Sequence, residues 1–197
     1  MATQYSDNCT GRDDLVFATS TAGNACNLTV TSTATDQCAG LTTTPSSDWL
    51  LVRVDTEPPV ISCSVAQSVL WPANEAMVDI GFQLNLGDNC DPQPVLDVAI
   101  TSDESTRYAY VTQNGNDPSP DAVVERTSTG GIQRILLRAQ RRSTTVSSFD
   151  GRVYRIHVTA TDACGLSSRT ECWVEVPSTS NSTAVNSGQD YDATKEN

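Results

Sequence analysis

Met77-Val78-Asp79-Ile80-Gly81-Phe82-Gln83-Leu84-Asn85-Leu86 is the stretch that decides the fold class. Val78, Ile80, Phe82, Leu84 and Leu86 share one parity, and Asp79, Gln83 and Asn85 share the other. Successive side chains of a strand point to opposite faces, so this period of two marks a half-buried β-strand. Downstream, Leu96, Val98 and Ile100 repeat it. So do Ile135, Leu137 and Ala139, with Arg134 and Arg138 expected to face water. Tyr154, Ile156, Val158 and Ala160 alternate with Arg155, His157 and Thr159, and Cys172, Val174 and Val176 close the series. Gly87-Asp88-Asn89, Asn114-Gly115, Gly130-Gly131, Asp150-Gly151 and Cys164-Gly165 punctuate the runs as turns. No stretch carries a helical period. Short strands at regular spacing predict an all-β sandwich.

Val54-Asp55-Thr56-Glu57-Pro58-Pro59 divides the chain, because paired prolines cannot join a central ladder. Residues 56–177 hold enough strands for a complete sandwich. Residues 1–55 offer strands around Leu15–Thr19, Cys26–Ala34 and Trp49–Val54, too few to close one alone. Residues 178–197 are polar and lack an apolar pattern, so composition predicts a linker or a segment free to act as a donor strand.

The chain has 197 residues, 38% hydrophobic and 6% aromatic, which favours thin sandwiches over one large core. Its 24 acidic against 12 basic residues give a net charge of -12, which disfavours nucleic acid and suits a soluble surface protein or one that binds divalent cations. Seven cysteines, none in a C-x-x-C pair, read as disulfides and an oxidising compartment. The sequons at Asn8, Asn27 and Asn181 agree, and imply N-linked glycans on an extracellular or cell-surface protein. No apolar leader follows Met1 and no apolar run is long enough to span a bilayer, so a secreted chain would be a mature or partial form of something longer.

The two parts read as repeats. Thr33-Ala34-Thr35-Asp36-Gln37-Cys38-Ala39-Gly40 parallels Thr159-Ala160-Thr161-Asp162-Ala163-Cys164-Gly165. Leu51-Val52-Arg53-Val54 parallels Trp173-Val174-Glu175-Val176, and Asp7-Asn8-Cys9 parallels Asp88-Asn89-Cys90. The first unit therefore begins at the equivalent of Asp88 and lacks its first strands. Asp55-Thr56-Glu57-Pro58-Pro59-Val60-Ile61-Ser62-Cys63, then Asp88-Asn89-Cys90, Ala160-Thr161-Asp162-Ala163-Cys164-Gly165 and Cys172 resemble the hyalin repeat (HYR) domain. Val69-Leu70-Trp71-Pro72-Ala73-Asn74, Asp117-Pro118-Ser119-Pro120-Asp121 and Gly151-Arg152-Val153-Tyr154 also look like an immunoglobulin-like repeat of secreted surface proteins. The resemblance covers residues 54–177 well and 7–54 in part. It implies an immunoglobulin-like β-sandwich and a place in extracellular adhesion proteins.

The same resemblance implies the bridges Cys63–Cys172 and Cys90–Cys164, each worth roughly 4 kcal/mol in the chain-entropy model. Repeat analogy then pairs Cys9 with Cys38 and leaves Cys26 either free and buried or bonded to another chain; Cys26 with either Cys9 or Cys38 stays open as an alternative.

Three kinds of site follow. Asp88, Asn89 and Asp91 in one turn, Asp162 in another, and Asp55 and Glu57 in the linker are hard oxygen donors that suit Ca²⁺; the competing reading is that Asp and Asn simply favour turns. The deficient first unit exposes unpaired edges, which a donor strand from the tail or from the next subunit would fill, giving a head-to-tail filament. The equal alternative is a chain whose missing strands lie upstream. Catalysis has no motif to stand on. His157, the sole histidine, falls on the polar side of its strand, and no nucleophile elbow, zinc helix or phosphate loop occurs. Trp49, Trp71 and Trp173 form a possible carbohydrate platform, but fold positions explain them as well, with Trp71 plugging the core rim. The expectation is a non-enzymatic structural glycoprotein subunit of an extracellular filament; the alternative is a calcium-stabilised cell-adhesion module of a longer surface protein.

Overall fold

A computed structural model of the chain describes residues 15–24, 26–36, 50–52, 55–105, 120–141 and 150–195. The chain divides into two units, Met1–Thr56 and Glu57–Asn197. The described residues are all-β.

The first unit holds β1 (Leu15–Asn24), β2 (Asn27–Asp36) and β3 (Leu50–Val52) in one antiparallel sheet of order β1-β2-β3. β1 and β2 pair without a slip from Leu15 opposite Asp36 to Asn24 opposite Asn27, closing a tight hairpin that carries Cys26. Thr, Val and Ala dominate both strands, which suits a pleated surface. Ala34 is buried, whereas β1 is exposed from Ala18 to Gly23.

The second unit holds β4 (Val60–Val65), β5 (Met77–Asp79), β6 (Phe82–Gly87), β7 (Val95–Ser102), β8 (Ala122–Arg126), β9 (Ile132–Arg138), β10 (Arg152–Thr161), β11 (Ser167–Val176) and β12 (Tyr191–Asp192). One sheet runs β11-β10-β7-β12; the opposing strands form β4-β6 and β5-β9-β8. Their inner faces meet in one core. Ile100, Ile156, Val158, Val174 and Val176 pack with Ile80, Ile135 and Leu137, all completely buried. Each such side chain contributes roughly 1.5–3 kcal/mol by leaving water.

The stretch 77–87 is one hydrophobic alternation but two strands. β5 pairs with β9, β6 pairs with β4, and the hand-over falls at Ile80-Gly81. There the Ile80 amide donates to the Ile135 carbonyl at 3.2 Å, and the Ala66 amide donates to the Ile80 carbonyl at 3.0 Å. Gly81 has φ +59°, and a Cβ on it would lie 2.7 Å from the Ala66 Cβ. Only glycine permits both the turn and the close approach. The alternation survives because Gly81 occupies an outward position, so the period of two gives no sign of the break.

The tail departs from its composition. It is not a free linker within the described residues 178–195 but part of the second unit. Tyr191 and Asp192 pair with Ser102 and Thr101 on the edge of β7. Ala193 is fully buried; its amide donates to the Ile100 carbonyl, and its own carbonyl accepts from the amides of Asp121 and Ala122. The Ser187 amide donates to Asp103, the Ala184 amide to Glu175, and Gln189 to the Val153 carbonyl. Backbone pairing at a sheet edge needs no apolar side chains, so hydropathy cannot reveal it.

Candidate functional site

The two acidic turns of the second unit form where β6 and β10 end. Asp88 Oδ1 accepts the amides of Cys90 and Asp91 at 2.8 and 2.6 Å. Asp162 Oδ1 accepts those of Cys164 and Leu166 at 2.8 and 2.9 Å. Gly165, at φ +89°, lets the β10–β11 turn close. Asp91 uses both oxygens, one on the Gln93 amide and the other on the Ala163 amide at 2.9 Å, and so clamps one turn to the other. The turn preference of aspartate therefore accounts for most of these oxygens. Two are left over: the Oδ2 atoms of Asp88 and Asp162 are buried and have no hydrogen-bond partner. Of the other expected cation ligands, Asn89 and Glu57 are exposed, and the half-buried Asp55 belongs to the first unit.

The cysteines redistribute. Cys63 on β4 bonds Cys172 on β11, with Cα atoms 6.1 Å apart, in the pairing that the family resemblance implied. The expected Cys90–Cys164 bridge is corrected. Cys90 is disulfide-bonded, but Cys164 carries a free thiol exposed on its turn. One sulfur makes one disulfide, and each turn is locked by its own aspartate, which holds the two cysteines in place. Cys26, expected to be left over, is disulfide-bonded as well. Cys9 and Cys38 lie outside the described residues, as do Asn8 and Trp49; Asn27 falls on β2, and Asn181 is exposed.

The opposite end of β10 starts in a buried ionic cluster that the sequence reading missed. Arg152 is fully buried. Its guanidinium reaches Asp121 Oδ2, Glu104 Oε2 at 3.3 Å, the Tyr154 hydroxyl at 2.9 Å and the Ser105 carbonyl at 3.2 Å. Arg138 closes the other side of Asp121 at 3.2 Å and donates to the carbonyls of Glu75 and Pro120. The Tyr154 hydroxyl donates to the Arg138 carbonyl, and burial pushes its pKa up. Nearby, burial also raises Asp103, against the opposing amides of Val153 and Ser187. Arg138, expected in water, is largely covered: it leaves the outer face of β9 but is long enough to bend back to Asp121. Parity held the missed clue for Arg152, which shares the inward register of Tyr154, Ile156 and Val158.

On the outer face of β10 and β11, Glu171 bridges Arg155 at 2.8 Å and His157 at 3.2 Å, and Trp173 stands opposite Arg155. Trp173 is 56% exposed. Trp71, expected to plug the core rim, is 46% exposed; Leu70 does so instead, its amide donating to the Glu175 carbonyl at 2.8 Å. Where β6 parts from the β8–β9 turn, a groove of about 430 Å³ is lined by Leu86, Pro94, Leu96 and Arg126 among others. Among the described residues, no helix is long and apolar enough to cross a membrane. No family model matches the chain, and no curated relative is found.

Proposed function

We propose that this protein is an extracellular structural glycoprotein subunit that joins to like units by strand pairing, built from hyalin-repeat-like sandwiches. The observation that carries the reading is β1. Its ten residues, LVFATSTAGN, contain no charge and no proline, and its only sheet neighbour among the described residues is β2. Sheet edges of monomeric proteins are ordinarily blunted by lysine, proline or bulges, and a plain edge is a template for another strand. The first unit then receives a strand from a neighbouring subunit, and a contact of that kind that does not close propagates a filament. The Cys63–Cys172 disulfide supports an oxidising, extracellular setting. A second reading, a cation-stabilised cell-adhesion module, draws on the two leftover aspartate oxygens at the paired turns.

Electron microscopy and sedimentation of the native protein test the first reading. Fibres with a one-subunit repeat are expected, and Thr19→Lys with Thr21→Lys, which place charges on the exposed strand, should leave soluble monomers. Monomers at every concentration, or a native chain whose upstream segment supplies the missing strands, would overturn it.

A further inference from the structure

We infer that the Asp162–Gly165 turn binds a thiophilic divalent cation of the zinc class through the Asp162 carboxylate and the Cys164 thiolate. A carboxylate oxygen of Asp162 and the Cys164 Sγ lie within 4.8 Å of each other. Two donors on one zinc ion sit about 3.6 Å apart, given bond lengths of roughly 2.0–2.3 Å in tetrahedral geometry. Cys164 is exposed and its thiol is free, so neither a disulfide nor burial holds that side chain away from the carboxylate.

Asp162 supplies the second, independent reason. It is only 5% exposed, and its Oδ2 is buried with no hydrogen-bond donor. A buried carboxylate oxygen without a partner is costly, and a bound cation offsets that cost. The turn is preorganised. Asp162 Oδ1 holds the amides of Cys164 and Leu166, the Gly165 amide donates to the Asp162 carbonyl at 3.1 Å, and Asp91 grips the Ala163 amide from the neighbouring turn.

The donor set also discriminates between metals. Calcium needs six to eight oxygens, yet both Asp91 oxygens and Asp88 Oδ1 are committed to amides. A thiolate is a soft ligand that selects zinc or cadmium over calcium. Binding exchanges the thiol proton for the metal and releases that proton to solvent; water completes the coordination.

The test uses the full, disulfide-oxidised chain titrated with Cd²⁺ alone, then with Zn²⁺ and Ca²⁺ as competitors. A cadmium–thiolate charge-transfer band should saturate at one ion per chain, yield to Zn²⁺ and ignore Ca²⁺. Cys164→Ser should lose the band. Asp162→Asn, which keeps Oδ1 for the two amides, should weaken binding by about tenfold or more, since even outer-shell partners cost that much. Absence of the band, a band of unchanged affinity in D162N, or displacement by Ca²⁺ would each overturn the inference. Should D162N misfold by circular dichroism, Cys164→Asp decides: it must lose about tenfold or more of the cadmium-over-calcium preference, and an unchanged preference refutes the site.

Discussion

β10 begins and ends beside an aspartate, and the two ends treat it in opposite ways. At the start, Asp121 is buried against two guanidiniums, one of which also reaches Glu104. At the far end, Asp162 is buried against backbone amides, and one of its oxygens is left without a partner. The tail covers the first end through Ala193 and Ser187, whereas the second carries an exposed thiol. A carboxylate with both oxygens paired, as in Asp121, has no capacity left for a ligand and serves stability and register. An unsaturated one stores a cost that binding can relieve.

That contrast is easiest to break at Arg152. Arg152→Ala leaves Asp121 and Glu104 buried without their main partner and should cost about 3–5 kcal/mol in urea unfolding. A loss under about 1 kcal/mol would mean that water already enters the cluster. Deleting residues 190–197 opens the same end by removing the edge pairing and the three Ala193 backbone hydrogen bonds. A loss of about 1–3 kcal/mol is expected, with faster hydrogen exchange along β7. At the far end, Asp162→Ala removes the oxygen that accepts two amides and should cost roughly 1 kcal/mol, as the loss of a helix cap does, whereas Asp162→Asn should stay within about 0.5 kcal/mol in metal-free buffer. Asp121→Asn should be far more damaging than Asp162→Asn, and equal effects would erase the distinction between the ends.

The smallest effect concerns pH. Asp103 has a folded-state pKa above its ordinary value of 3.8, chiefly through burial. The folded state therefore holds that proton more tightly than the unfolded chain does. The contribution of Asp103 to stability is greatest below the unfolded pKa and declines as pH rises through the folded one. Asp103→Asn should flatten this part of the stability profile on the acid side. A profile identical to that of the parent protein would mean that other carboxylates dominate there.

The sequence alone determined the fold class, most strand positions and the division near Pro58-Pro59. These rest on side-chain parity and proline chemistry, which act between residues adjacent in the chain. Even Arg152 was legible in principle, because it keeps the parity of Tyr154 and Ile156. Tertiary structure alone decided which of the described cysteines stays free, since pairing depends on where turns distant in the chain place their sulfurs. It also decided that the strand run breaks at Gly81, where the close approach of Ala66 sets the limit. A tail without apolar pattern became an edge strand through backbone groups that every sequence shares. And it separated Asp162 from the other acids of its turns: all of them looked like ligands, but committing Asp91 and half of Asp88 to amides left few oxygens to spare. Which oxygen keeps no donor is a property of packing, and no local pattern encodes it.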